Sequence, residues 1–343
     1  MGMRSFILQR LIQSVVVLLG LSLLIFVLVR VAPGDPVRAA LGPRVPQDVV
    51  DRMRAEMMLD EPYHIQYIHW ITRTLQGDFG NSLMTRRPVA EDIKQFLPAT
   101  MELALFAGVF MAAFGILLGA ASAYRRNSWL DNAIRVLAYT GVVTPAFVFA
   151  VLFLLLFGYY WHVFPTAGRL AQDMVAPPTI TGMVTVDSLL TGNWRAFVDG
   201  LKHLVLPAVA LSMAGLSQQA RITRASLVDN LQKDFVLAHR TYGLSDRSIM
   251  LKYALKPSLI PTVSILGLDF AALLSNAFLV ELIFNWPGLS RYGVNAILQK
   301  DVNAVAAVVM VLGVTFVTVN ILVDIVVAWL DPRIRMRIAN QGG

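Results

Sequence analysis

Six polar side chains stand in or at the ends of long apolar runs: Glu102, Asp269, Asn276, Glu281, Asn320 and Asp324. An acid placed in hydrocarbon is costly unless it faces a cavity, a partner or a bundle interior, so each is a candidate for chemistry or transport. Asp269 and Asp324 could be cast as the facing acids of an intramembrane aspartyl protease, two carboxylates sharing a proton. Asp269 follows Gly267-Leu268, however, and not the Gly-x-Gly-Asp pattern of that class. An intramembrane serine protease needs a histidine within a span, and none of His64, His69, His162, His203 and His239 lies there. His64 and His69 are five apart and share no helical face well, and His-Glu-x-x-His spacing does not occur, so no metal site is expected. The chain has no cysteine, which excludes disulfides, thiolate metal sites and cysteine nucleophiles. For Asp269, Asn276 and Asp324 two readings stay open: lining a translocation path, or hydrogen bonding between helices.

The apolar runs that carry these groups set the fold class. Of 343 residues, 56% are hydrophobic and only 15% charged, too little charge to cover a soluble protein of this size. Crossing a hydrocarbon core takes ~20 helical residues, and six segments are assigned as spans: 9–31, 98–124, 132–159, 204–226, 259–284 and 304–330. The expected fold is an all-α polytopic membrane protein with a transmembrane domain over about 95–335. The first run is read as a retained helix, because it is long for a signal peptide and no Ala-x-Ala cleavage site follows. The formal charge of +7 does not point to nucleic acid, since the basic residues fall in connections and form no stripe with interleaved aromatics.

Basic residues in short connections mark the cytoplasmic side. Arg125-Arg126 place 125–131 there, and the seven Lys or Arg from Arg221 to Lys256 outweigh Arg291 and Lys300 in 285–303. The expected cytoplasmic segments are therefore 1–8, 125–131, 227–258 and the tail 331–343 with Arg333, Arg335 and Arg337. The segments 32–97, 160–203 and 285–303 fall outside, giving both termini inside. Within 32–97, Pro46–Met58 and Pro62–Leu75 read as short amphipathic helices opened by proline. Tyr159, Tyr160 and Trp161 stand where an interfacial aromatic belt would be, and Glu281 is expected to anchor the turn at Trp286-Pro287-Gly288.

The segment from Asp234 to Pro261 is a polar, basic island between two spans. Leu227, Leu231 and Phe235 are four apart and share a helical face, so the fourth span extends into, or is followed by, an amphipathic helix. Gly243 suits the position just past a helix end, where positive φ costs glycine little. Ser245 or Asp246 suits an N-cap, with Ile249, Met250, Tyr253 and Ala254 on one side of the second helix and Pro257 limiting it. Such a segment either lies on lipid headgroups or docks a protein.

Phe235-Val236-Leu237-Ala238-His239-Arg240-Thr241-Tyr242-Gly243-Leu244-Ser245, then Ala254-Leu255 and Pro261, resembles the EAA loop of permease subunits in binding-protein-dependent ABC importers. The branch is that of dipeptide, oligopeptide and nickel systems, and the likeness is to its first, B-type permease. His239 stands where that branch usually has alanine, and Tyr242 where it has lysine, so these two are where a partner-specific contact is expected. Further likenesses, in chain order, are Arg30-Val31-Ala32-Pro33-Gly34-Asp35-Pro36, Gly77-Asp78-Phe79-Gly80-Asn81-Ser82, and Glu281-Leu282-Ile283-Phe284-Asn285-Trp286-Pro287-Gly288-Leu289. The resemblance implies a type I importer permease in the cytoplasmic membrane of a bacterium or archaeon, pairing with a second permease. It implies two cytoplasmic ATPases, a substrate-binding protein docking on 32–97 and 160–203, and a coupling role for Phe235, Ala238, His239, Arg240, Tyr242, Gly243, Leu244 and Ser245. The dipeptide Gly-Lys of a phosphate-binding loop never occurs, so ATP and magnesium are expected in the partner ATPases and no cofactor in this chain. Family substrates include peptides, glutathione, nickel chelates and oligosaccharides, with peptide favoured. An ion-coupled carrier, the remaining alternative, would leave the basic island without a task.

Overall fold

Long apolar runs satisfy their own backbone groups by coiling, and the chain is helical almost throughout. The computed structural model describes residues 3–31, 45–56 and 58–330. The Pro33-Gly34-Asp35-Pro36 segment and the tail with Arg333, Arg335 and Arg337 lie outside the described residues. The helices are α1 (Met3–Val31), α2 (Gln47–Glu56), α3 (Tyr63–Leu75), α4 (Val89–Tyr124), α5 (Trp129–Val143) and α6 (Ala146–Tyr160). They continue with α7 (Val184–Leu190), α8 (Trp194–Leu231), α9 (Asp234–Thr241), α10 (Asp246–Ile283), α11 (Leu289–Leu298) and α12 (Val302–Leu330). Among the described residues no strand forms beyond one isolated bridge, Asn81 to Pro88.

Among the described residues five helices, α1, α4, α8, α10 and α12, are long and apolar enough to cross a membrane. The third expected span, 132–159, is not one straight helix: α5 and α6 meet at 113° across Thr144-Pro145. Thr144 precedes a proline and is extended (ψ 124°), a conformation favoured by the clash with the proline ring. Counted as one broken crossing, the pair makes six. Other prolines do not break their helices. Pro98, Pro207 and Pro261 lie inside α4, α8 and α10, which extend beyond the expected 98–124, 204–226 and 259–284. Pro257 does not end its helix either. Ile249–Ala254 is π-helical just before it and the Ser258 hydroxyl bonds the Ala254 carbonyl at 2.6 Å, local adjustments of the kind that tolerate proline in spanning helices.

Two compact units divide the chain. One comprises Leu8–Thr100 and Pro287–Thr318, and its core joins Val89 and Ile93 of α4 to Leu289, Tyr292 and Ala296 of α11 and Ala304, Ala307 and Val308 of α12. Two fully buried acids tie it together. Asp301 caps α12 through Ala304 N–H and accepts from Ser82 Oγ (2.6 Å) and Leu83 N (2.7 Å), which fixes the loop after Gly77-Asp78-Phe79-Gly80. Asp92 accepts from Thr85, Arg87 and Tyr292 (2.8 Å). The segment 285–303, expected as a plain turn, thus contains a helix, α11, whose buried face needs this core.

The other unit holds Met1–Ile7, Met101–Trp286 and Val319–Gly343. Its helices approach closely because glycines line α4: a Cβ on Gly115 would stand 2.6 Å from Gln219 Cβ, and one on Gly119 2.6 Å from Ala220 O. Gly115-Ile116-Leu117-Leu118-Gly119 is a Gly-x-x-x-Gly pair facing α8. At one end of the same helices, Arg224 of α8 donates through Nε and Nη2 to both oxygens of Asp131 (2.6 and 2.7 Å), whose side chain is fully buried. Ser122 Oγ and Asn127 N (2.9 Å) also donate to Asp131, which joins α4, the 125–128 connection, α5 and α8.

Candidate functional site

The polar island after α8 folds into a helix, a glycine turn and the start of a second helix. Leu227 of α8 is fully buried with Ala123, Met250 and Ala254, and Leu231 and Phe235 pack on that cluster. The expected shared face of Leu227, Leu231 and Phe235 thus closes one core, although the helix breaks at Gln232-Lys233 between them. The turn is a Schellman motif. Leu244 N–H bonds His239 O at 3.2 Å, Gly243 N–H bonds Arg240 O at 2.9 Å, and Gly243 has φ +77°. Nothing lies within 4 Å of where its Cβ would be, so glycine is required here by backbone angle alone.

Ser245 is the N-cap of α10, its Oγ accepting from Ser248 N at 3.4 Å, and Asp246 stands in the first turn. Arg240 pairs with Asp246 at 2.8 Å, but both side chains are exposed, and such a pair contributes ~0–1 kcal/mol. Rigidity therefore comes from the buried face: Val236, Ile249, Met250 and Ala254. Tyr253, expected with them, turns outward, and the His239 ring lies against it, tilted by 43° with ring centroids 4.1 Å apart. The departures from the resembled pattern thus separate. His239 is spent on an internal contact, whereas Tyr242 is 85% exposed. Ala238, Arg240 and Ser245 are exposed too, and Leu244 is half-buried. Leu237, which the sequence did not single out, is 67% exposed beside the buried Val236. Leu237 and Tyr242 leave apolar surface on a segment whose other face is held to α4, α8 and α10.

Three further polar groups belong to this unit. Asp269 of α10 is half-buried and accepts from Gln219 Nε2 (2.7 Å) and Gln218 Nε2 (3.4 Å) of α8, so its hydrogen-bond partners among the described residues are amides and not a second acid. Asn276 is exposed on α10, and Asp324 is half-buried on α12. Among the described residues no group of three or more His, Asp or Glu could hold a metal ion.

Glu281 is completely buried, and its backbone carbonyl accepts from Trp286 N–H at 2.8 Å. Asn285 between them takes φ +48°, closing α10 as glycine closes α9. Trp286 is buried as well, with the Arg169 guanidinium 5.8 Å over its ring. Arg169 in turn donates to Glu102 (2.5 Å), and Glu102 accepts from Thr185 N (2.7 Å) and Oγ1 (2.6 Å). Pro287 is half-buried and Gly288 buried, the latter the N-cap of α11. The segment 161–183 is thus stapled to α4 through Arg169, a link that no spacing in the sequence announces.

Comparison with known proteins shows the family of the chain. The family described as binding-protein-dependent transport system inner membrane component matches residues 115–336, and its N-terminal counterpart matches residues 3–104. A probable D,D-dipeptide transport system permease of Escherichia coli (strain K12) is 38% identical over 96% of this chain and 97% of its own. A glutathione transport system permease of Salmonella choleraesuis (strain SC-B67) is 34% identical over 98% and 100%. A dipeptide transport system permease of Escherichia coli (strain K12) is 34% identical over 97% and 99%. With helices long enough to cross a bilayer and near-complete coverage of these relatives, the chain belongs to the family of inner membrane components of binding-protein-dependent transport systems, and is a multi-pass membrane permease.

Proposed function

We propose that this permease forms part of the path for dipeptides or other short peptides in an ATP-driven importer, and that residues 234–258 are its lever. The substrate reading rests on the names of its relatives: D,D-dipeptide, dipeptide and glutathione share the chemistry of a short peptide. The lever reading rests on one observation. The α9–Gly243–α10 segment has a buried face fixed to α4, α8 and α10 and an outer face presenting Leu237 and Tyr242. A rigid piece so attached passes the movement of a bound partner into the spans as a rigid-body tilt. The partners would be two cytoplasmic ATPases holding ATP and magnesium, a second permease subunit, and a substrate-binding protein on the opposite side. In this arrangement the termini and the 125–131 and 227–258 segments face the cytoplasm. Asp269, Asn276 and Asp324 are placed along the path, and Glu281 with Trp286, Pro287 and Gly288 at its outer end.

The test is uptake into proteoliposomes holding the whole complex, with ATP enclosed on the side of the 227–258 segment and binding protein on the other. Labelled dipeptide is expected to accumulate only when ATP and binding protein are both present. Accumulation that persists without nucleotide would make the chain an ion-coupled carrier, and uptake of a nickel chelate or oligosaccharide but no peptide would overturn the substrate.

A further inference from the structure

Between α5 and α8 lies a cavity of about 220 Å³ with an apolar floor and a basic rim. Ile134, Ala138 and Ala220 on its floor are buried, while Arg135, Tyr139 and Arg221 on its rim are exposed. No acid lines it. Arg224 also borders the cavity, but its charge is met by the buried Asp131. The rim guanidiniums are not so neutralised. Arg135 reaches only the Asn132 amide oxygen at 3.4 Å, and Arg221 makes no hydrogen bond or ion pair among the described residues.

We infer that this cavity binds the headgroup of an anionic phospholipid, of the phosphatidylglycerol class, from the cytoplasmic leaflet. The leaflet rests on the sidedness given under the proposed function; the binding chemistry does not. Arg135 stands six residues into α5, which at 1.5 Å per residue is about 9 Å from the Arg125-Arg126 connection. For a helix entering along the bilayer normal, that is the depth of the boundary between headgroups and acyl chains. Two guanidiniums on facing helices match a phosphate between them, because each offers paired N–H donors in a fork. The Tyr139 hydroxyl can meet the polar part of the headgroup, and the floor of Ile134, Ala138 and Ala220 suits the start of an acyl chain. A soluble anion would use the rim and leave that floor bare, which favours a lipid. Bound there, the lipid would bridge α5 and α8 on the same helices that the Asp131–Arg224 pair joins, and α8 leads directly into the lever α9.

Binding is read on the detergent-purified complex, where sidedness plays no part, as phosphatidylglycerol retained relative to phosphatidylcholine after delipidation and exchange. The pair Arg135→Gln with Arg221→Gln is expected to lower relative retention roughly ten-fold or more, from two basic residues each contributing an ordinary headgroup attraction. Arg125→Gln with Arg126→Gln is expected to retain it, and Arg135→Lys with Arg221→Lys to keep most of it. Retention by the glutamine pair equal to that of the unaltered complex overturns the site. In the unaltered protein, photoactivatable phosphatidylglycerol must label the Tyr139 region in preference to phosphatidylcholine, and equal labelling also overturns it. A cross-link from Ala225→Cys to a second permease subunit would show that a protein covers the cavity, and would overturn it too. The leaflet is tested separately by thiol labelling of Arg126→Cys in intact cells: labelling from outside would reject the sidedness and leave the lipid site standing.

Discussion

Gly243→Val is expected to assemble and insert at normal levels and to lose at least about ten-fold of peptide uptake. The residue holds φ +77° in a turn with open space around it, so valine introduces no collision and acts through the backbone. A β-branched residue in that region costs ~1–3 kcal/mol, and 1.4 kcal/mol is already ten-fold in the population of the turn. The bonds at stake are Gly243 N–H to Arg240 O and Leu244 N–H to His239 O. Without them the Ser245 cap and the start of α10 are no longer aimed by α9. Gly243→Asn is the control, because asparagine tolerates the left-handed region, as Asn285 does at the other end of α10. Asparagine should keep most uptake and most ATPase stimulation by loaded binding protein. Equal uptake by the valine variant and the unaltered protein would remove the turn from the coupling mechanism.

Arg224→Met should be the most damaging single change to stability in the unit that holds α5, α8 and α10. It leaves the fully buried Asp131 carboxylate with only Ser122 and Asn127 as donors. Breaking a buried pair by removing one partner typically costs ~3–5 kcal/mol, whereas replacing both partners with neutral groups is often close to neutral. Thermal unfolding of the detergent-solubilised complex is therefore expected to fall sharply for Arg224→Met and to recover largely in Asp131→Asn with Arg224→Met. Arg224→Lys should lie between, since an ammonium cannot occupy both carboxylate oxygens as the fork does. A single variant as stable as the unaltered protein would show that the pair does not hold these helices.

Hydropathy and punctuation made much of this architecture legible. The apolar runs appear as helices because nothing else satisfies their backbone in lipid, and Pro62 opens α3 as its position suggested. Gly243 and Ser245 were readable because each is suited to one backbone task, the end of one helix and the start of the next. Prolines were the weak point. Pro145 breaks a span whereas Pro98, Pro207 and Pro261 do not, and the residue type alone does not tell the two outcomes apart. The Gly115-x-x-x-Gly119 pair was present in the sequence, but only the approach of α8 shows what it faces. Pairs such as Glu102 with Arg169 or Ser82 with Asp301 join residues far apart in the chain, and no local pattern encodes them. Within the island, burial divides what spacing could not: Tyr253 leaves the expected apolar face, and Leu237 joins the outward one.

The docking role of that outward face is most directly tested by cross-linking, which is clean because the chain has no cysteine of its own. Tyr242→Cys and Leu237→Cys, each labelled with a thiol-reactive photo-cross-linker that inserts into neighbouring C–H bonds of protein or lipid, are expected to give adducts with an ATPase subunit in the assembled complex. Val236→Cys, at a position that is 1% exposed, should give none. Adducts of Tyr242→Cys and Leu237→Cys with lipid alone, or with no ATPase, would contradict the account and leave the segment as a helix lying on the membrane surface.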